Sequence, residues 1–158
     1  MKSTTDLRAA RRFARSYFED RHIRTAAAAR KWIRAWSDGW RDHQPEVIAS
    51  RYADDCVLLS QPFREPGRGR AAVAAYARQA FADEQAADFT FNEPVVGEDG
   101  RAAVEYRAVV TAPDGSKTTL AGTSMLRFND DGLVVEHRDY WATTETDLGL
   151  EPPWRTTS

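Results

Sequence analysis

The hydrophobic period of this chain changes part-way along, and that change limits what it can fold into. Before about residue 85 apolar residues mostly recur every three or four positions; after it they alternate. The first spacing writes a stripe along a helix and the second writes one face of a strand. Helical segments followed by consecutive strands define the α+β class. A long antiparallel sheet, curved over the main helices, leaves room for a pocket between the two.

The helical part divides into four expected segments. Leu7, Ala10, Phe13, Ala14, Tyr17 and Phe18 form one stripe over 6–20, with Asp6 as a candidate cap. A second helix over 25–41 carries Ala29, Ile33, Trp36 and Trp40 on one face with Trp32 beside it, and Gly39 and Pro45 bracket its end. Pro45 suits the first turn of a short helix over 46–52. After a short apolar run at 56–61, read as a strand, and a loop rich in Pro and Gly, an Ala-rich helix over 70–85 presents Val73, Tyr76, Ala77, Ala80 and Phe81.

Strands are expected around Phe89 and Phe91, over 102–111, over 118–128 and over 133–143. Turn residues separate them: Asp99-Gly100, Pro113-Asp114-Gly115 and Asn129 to Gly132. Such an order predicts an antiparallel meander. The last strand, LVVEHRDYWAT, alternates. Strict alternation puts Leu133, Val135, His137, Asp139 and Trp141 on one face, and Val134, Glu136, Arg138 and Tyr140 on the other. An imidazole and a carboxylate therefore share a mostly apolar face.

A chain of 158 residues suits one domain with one core. Its net charge of −2 points to neither nucleic acid nor membrane as a partner. The charge is uneven, however. Residues 1–24 hold seven Lys/Arg and three acids, the composition of a basic amphipathic extension. The expected division is that extension, a domain over 25–148, and an extended tail over 149–158. A single cysteine, Cys56, cannot form an internal disulfide, which fits a reducing, cytoplasmic location; a buried, inert thiol is its expected role. No apolar run is long enough for a signal peptide or membrane span. The histidines His22, His43 and His137 lack metal-ligand spacing, and neither a phosphate loop nor a nucleophile elbow is present, so neither a metal nor another cofactor is expected.

The ordered set of segments resembles the SnoaL-like branch of the nuclear-transport-factor-2-like superfamily over roughly residues 25–145. The carriers are the aromatic-rich helix, "RYADDCVLL" as short helix then strand, "PGRGRAAVAAY" opening the third helix, and "DDGLVVEHRDYW" as hairpin plus last strand. The resemblance implies a cone-shaped α+β barrel wrapped around about three helices, often dimeric through the outer sheet face. Its members include polyketide cyclases, steroid isomerases, scytalone dehydratases, limonene-epoxide hydrolases and noncatalytic binders, so it implies fold more closely than function. Arg138-Asp139-Tyr140-Trp141 is similar to a run in the last strand of the epoxide hydrolase. That enzyme pairs its Asp with an Arg-x-Asp on a neighbouring strand. Here the corresponding pair is Glu105-x-Arg107, and Leu58 and Ser60 stand near its water-holding Tyr and Asn, departures that speak against epoxide hydrolysis.

The candidate site follows from faces. Ala103, Glu105, Arg107 and Val109 share one face; Leu120, Gly122, Ser124, Leu126 and Phe128 share another. Turned inward with His137, Asp139 and Trp141, they predict Arg107 between Glu105 and Asp139, with His137 nearby. Asp139 and His137 are then an acid/base pair and Arg107 a holder of an anionic oxygen. The alternative is a structural ion-pair network with a satisfied core histidine. Trp36, Trp40 and Tyr76 are expected at the pocket mouth, Leu58, Leu120, Ser124 and Trp141 in its wall, and Phe63 with Arg64 on a lid loop. The substrate class is a small apolar or polycyclic, carbonyl-bearing molecule, bound either by an isomerase, cyclase or dehydratase or by a noncatalytic domain. A third reading is a structural dimer with a filled cavity. Val104, Tyr106, Met125, Val134 and Tyr140, expected outside, predict a homodimer.

Overall fold

The computed structural model describes residues 4–153. It contains three helices, α1 (Thr4–Arg41), α2 (Pro45–Ala49) and α3 (Arg70–Ala82), among the described residues. Seven strands accompany them: β1 (Tyr52–Leu59), β2 (Gly67–Arg68), β3 (Ala86–Phe91), β4 (Val95–Val96), β5 (Arg101–Thr111), β6 (Lys117–Phe128) and β7 (Val134–Thr144). The α+β expectation holds, and the sheet is curved but open. Its order is β2-β1-β7-β6-β5-β3, with β4 on β5, and β1 against β7 is its parallel pairing. No helix among the described residues is long and apolar enough to cross a membrane.

Two expected helices are one. α1 runs unbroken for 38 residues, about 57 Å at 1.5 Å per residue. Nothing between 20 and 25 stops it, because the segment contains neither proline nor glycine; Asp6 falls inside the helix rather than at its cap. Its C-terminal half carries Ala28, Ala29, Trp32, Ala35, Trp36 and Trp40, all buried. Its N-terminal half leaves Leu7, Phe13, Tyr17, Phe18 and Ile23 exposed. Residues 154–158 of the expected tail lie outside the described residues.

Strand faces decide what reaches the core. On β5 the inward set is Ala102, Val104, Tyr106, Ala108 and Val110, which pair across with Leu126, Ser124, Gly122, Leu120 and Thr118. Glu105 and Arg107 therefore point to the opposite face, and the expected inward set on β5 is corrected by one residue. A one-residue change of register exchanges every side chain between faces. On β7 the alternation is broken: Arg127 pairs with Glu136 but Phe128 pairs with Val134, so Val135 is the extra residue of a bulge. Val134 is consequently buried in the core. With Val104, Tyr106 and Val134 turned inward, the outer face keeps only Met125 and Tyr140 of its expected apolar set. They stand beside the Glu136 carboxylate and its partners Arg127 and Arg138.

Gly122 allows the sheet its close approach beside the site. A Cβ added there would lie 2.5 Å from both the Trp141 Cβ and the Tyr140 carbonyl oxygen. No side chain fits without parting β6 from β7. Gly122→Ala is expected to destabilise the fold by about 1–3 kcal/mol, read as a lower thermal unfolding midpoint; an unchanged midpoint would refute this account of the contact.

Candidate active site

A cavity of about 70 Å³ lies between the inner sheet face and the helices. α1 contributes Trp32, Trp36 and Trp40, spaced one turn apart so that all three face the sheet. Tyr76 comes from α3, Phe89 and Phe91 from β3, Tyr106 and Val110 from β5, Leu120 and Ser124 from β6, and His137, Asp139 and Trp141 from β7. The rings brace one another. Trp36 stacks on Trp40 at 5.5 Å, and Trp40 meets Phe89 edge-on at 5.1 Å. The Trp141 indole donates to the Ser60 carbonyl at 2.8 Å.

One carboxylate, Asp139, is set in this aromatic wall, and no Lys or Arg lines it. A buried charge needs hydrogen bonds in place of water. Ser124, directly across the ladder from Asp139, donates its hydroxyl to Oδ1 at 2.6 Å. His137, two residues earlier on the same strand, meets the same oxygen through Nε2 at 2.8 Å. Its Nδ1 lies 2.8 Å from the hydroxyl of Tyr52. That hydroxyl also receives the Trp32 and Trp36 indole N–H groups, both at 3.0 Å. Burial raises the pKa of the Tyr76 phenol to about 12, with the Asp139 charge adding to the shift. Burial first and Asp139 second also raise that of Tyr106. Both phenols thus stay protonated donors beside the carboxylate.

Of the residues expected from sequence, the structure brings Trp36, Trp40, Tyr76, Leu120, Ser124, His137, Asp139 and Trp141 to this cavity. Four others lie elsewhere. Leu58 is packed in the core, and Phe63 is fully exposed at a positive φ of 72° on the loop after β1. Glu105 and Arg107 sit behind the sheet, where the Asn92 amide donates to Glu105 at 2.5 Å. Arg107 donates through Nε to the Gly149 carbonyl at 2.7 Å, under the tail residues Leu150 and Pro152. The expected Glu105–Arg107–Asp139 cluster is therefore replaced by Ser124, His137 and aromatic rings around Asp139. Sequence reasoning missed Tyr52, which it placed at the end of a helix, and Phe89, Phe91 and Tyr106 as lining. The signal for Tyr106 was present: the Ala102–Val110 alternation is the more apolar of the two faces of β5. Among the described residues no three of His, Cys, Asp and Glu come together as metal ligands.

A family model described as the SnoaL-like domain matches residues 33–137. Among solved structures, the fold is similar to an M. tuberculosis LEH-like epoxide hydrolase, with a TM-score of 0.60 at 13% identity over 73% of this chain and 84% of that one. It is also similar to SalBIII, an epoxide hydrolase/cyclase-like enzyme with a role in pyran ring formation in the polyether salinomycin. There the TM-score is 0.62 at 14% identity over 72% of this chain and 89% of that one. At such identities the likeness is one of fold. No curated protein matches the sequence.

Behind Trp40 lies a second buried carboxyl, Glu84, just past the end of α3. The Trp40 indole N–H is its neighbour and partly offsets the effect of burial, without forming a well-aligned hydrogen bond, and His43 Nε2 lies 3.7 Å from its Oε1. Burial pushes Glu84 up to about 7. Its folded pKa thus exceeds its unfolded one, so the folded state binds the proton more tightly. Stability should then be highest below the unfolded value and fall as pH rises toward about 7. Glu84→Gln is expected to remove that slope and to gain up to about 3 kcal/mol at pH 8. Denaturation of both proteins across pH reads this directly, and parallel curves would overturn it.

Proposed function

Because the chain belongs to the SnoaL-like domain family, we propose that its cavity performs cofactor-free proton transfer on a small, largely apolar, carbonyl-bearing molecule. Isomerisation, cyclisation and dehydration are the reaction types in reach. The observation that carries this reading is one carboxylate, Asp139, in a wall of aromatic rings. Its Oδ1 is held by Ser124 and His137, while Oδ2 has no hydrogen bond among the described residues. An acid or base must reach the reacting atom with an unoccupied oxygen, and Oδ2 is that oxygen.

In the proposed step Asp139 Oδ2 takes a proton from the carbon next to a carbonyl. The C–H electron pair moves into the new C=C bond, and the carbonyl oxygen gains the negative charge. The protonated phenols of Tyr76 and Tyr106 are the donors placed to stabilise that oxyanion, the role first expected of Arg107. The carboxylic acid then returns the proton at a second carbon or to a leaving oxygen. His137 is not a second proton carrier in this scheme, because both of its ring nitrogens are engaged with the protein.

The small free volume favours a second reading, a noncatalytic binding domain. Drug-sized ligands occupy roughly 300–1,000 Å³; about 70 Å³ admits nothing polycyclic unless the half-buried rings of Tyr76, Phe89 and Trp141 move. Deuterium uptake from D₂O by a panel of small cyclic ketones and enones, followed by NMR, separates the readings. Wild-type protein is expected to catalyse exchange, and Asp139→Asn to slow it by about 10²-fold or more with the fold intact. Saturable binding without exchange supports the binding domain. Equal rates for the two proteins would remove Asp139 from the chemistry.

A further inference from the structure

Tyr52 opens β1, is wholly buried, and presents one hydroxyl to three nitrogens. Two of them, the Trp32 and Trp36 indoles at 3.0 Å, can only donate. A phenol has two lone pairs and one hydrogen, so both lone pairs are taken. The third nitrogen, His137 Nδ1 at 2.8 Å, is then the acceptor for the Tyr52 O–H. Nδ1 must therefore carry a lone pair, and a neutral imidazole with a bare Nδ1 carries its hydrogen on Nε2. That hydrogen points at Asp139 Oδ1, 2.8 Å away.

We propose that Tyr52 is a positioning residue that fixes the tautomer of His137 and thereby leaves Asp139 Oδ2 as the carboxylate's proton-carrying atom. The hydrogen bonds run in one direction: from the two indoles to Tyr52, from Tyr52 to His137, and from His137 to Asp139. Ser124 adds a second donor to Oδ1. With both partners on Oδ1, Oδ2 is the oxygen left free to carry a proton. The opposite tautomer would place three donors on the Tyr52 oxygen, strand the Tyr52 hydrogen, and turn a nitrogen lone pair toward a carboxylate. An imidazolium would do the first two of these. The Nε2–H tautomer of His137 is thus the one its partners fit. The titratable groups around it are Tyr52 from β1, Asp139 on its own strand and, beyond Tyr52, the Cys56 thiol; α1 presents only the indole rings of Trp32 and Trp36.

The consequence for catalysis rests on the proton-transfer role proposed for Asp139; the tautomer does not. The two can therefore fail separately. The test is ¹H–¹⁵N correlation spectroscopy of the full chain labelled with ¹⁵N-histidine, with exposed His22 and His43 as internal comparisons. Wild type is expected to show His137 with a hydrogen on Nε2 and none on Nδ1 at neutral pH. Tyr52→Phe keeps the ring and removes the hydroxyl. It is expected to lose that pattern, with Nδ1 acquiring a hydrogen through tautomer exchange. A hydrogen on Nδ1 in the wild type overturns the proposal, as does an unchanged His137 pattern in folded Tyr52→Phe. Should that variant fail to fold, the wild-type spectrum alone decides.

Discussion

A carboxylate buried among aromatic rings must exchange much of its hydration for hydrogen bonds, and much of this structure follows from supplying them. Asp139 accepts two hydrogen bonds on one oxygen, from Ser124 across the ladder and from His137 on its own strand. His137 in turn is anchored by Tyr52, and Tyr52 by two tryptophans one helical turn apart. Apart from Asp139 Oδ2, which faces the cavity, the polar atoms of this set are hydrogen-bonded to one another, which is the condition under which polar groups are tolerated in a core. No cation is needed. Arg107 is instead held on the other side of the sheet, where it donates to the Gly149 carbonyl.

Much of the site could be read from the sequence, for reasons that differ by residue. Trp32, Trp36 and Trp40 recur at the helical period, so their shared face was legible. His137, Asp139 and Trp141 alternate, and the strand keeps that alternation through the site. The errors arose where a pattern was nearly symmetric or was interrupted. On β5 both faces hold apolar residues, so the choice between them turned on Glu105 and Arg107, and it went the wrong way. On β7 a single bulged residue, Val135, moved Val134 from outside to inside. No local pattern announces where such a bulge will fall.

The continuity of α1 and the role of Tyr52 were hidden for another reason. Two amphipathic stripes separated by a polar stretch look like two helices, yet without a breaker residue the backbone has no cause to stop. Tyr52 followed a short helix and was assigned to its end. Only the pairing of Tyr52 with Val134 shows that it belongs to a strand, and that pairing joins positions far apart in the chain. Long-range partnerships of this kind leave no periodic trace in the sequence.

The parallel contact of β1 with β7 also governs when the site can exist. Tyr52 and His137 are 85 positions apart, and Trp141 and Ser60 are 81. Closing so long a segment carries a large entropic cost before any contact rewards it, and folds dominated by such contacts form slowly. The β5–β6 and β6–β7 hairpins can zip locally and give Asp139 its bonds to Ser124 and His137, but His137 gains Tyr52 and Trp141 gains Ser60 only after the two ends of the domain meet. A chain still emerging from the ribosome lacks β7 and therefore lacks the site altogether. The completed cavity and the completed sheet are thus products of the same long-range closure.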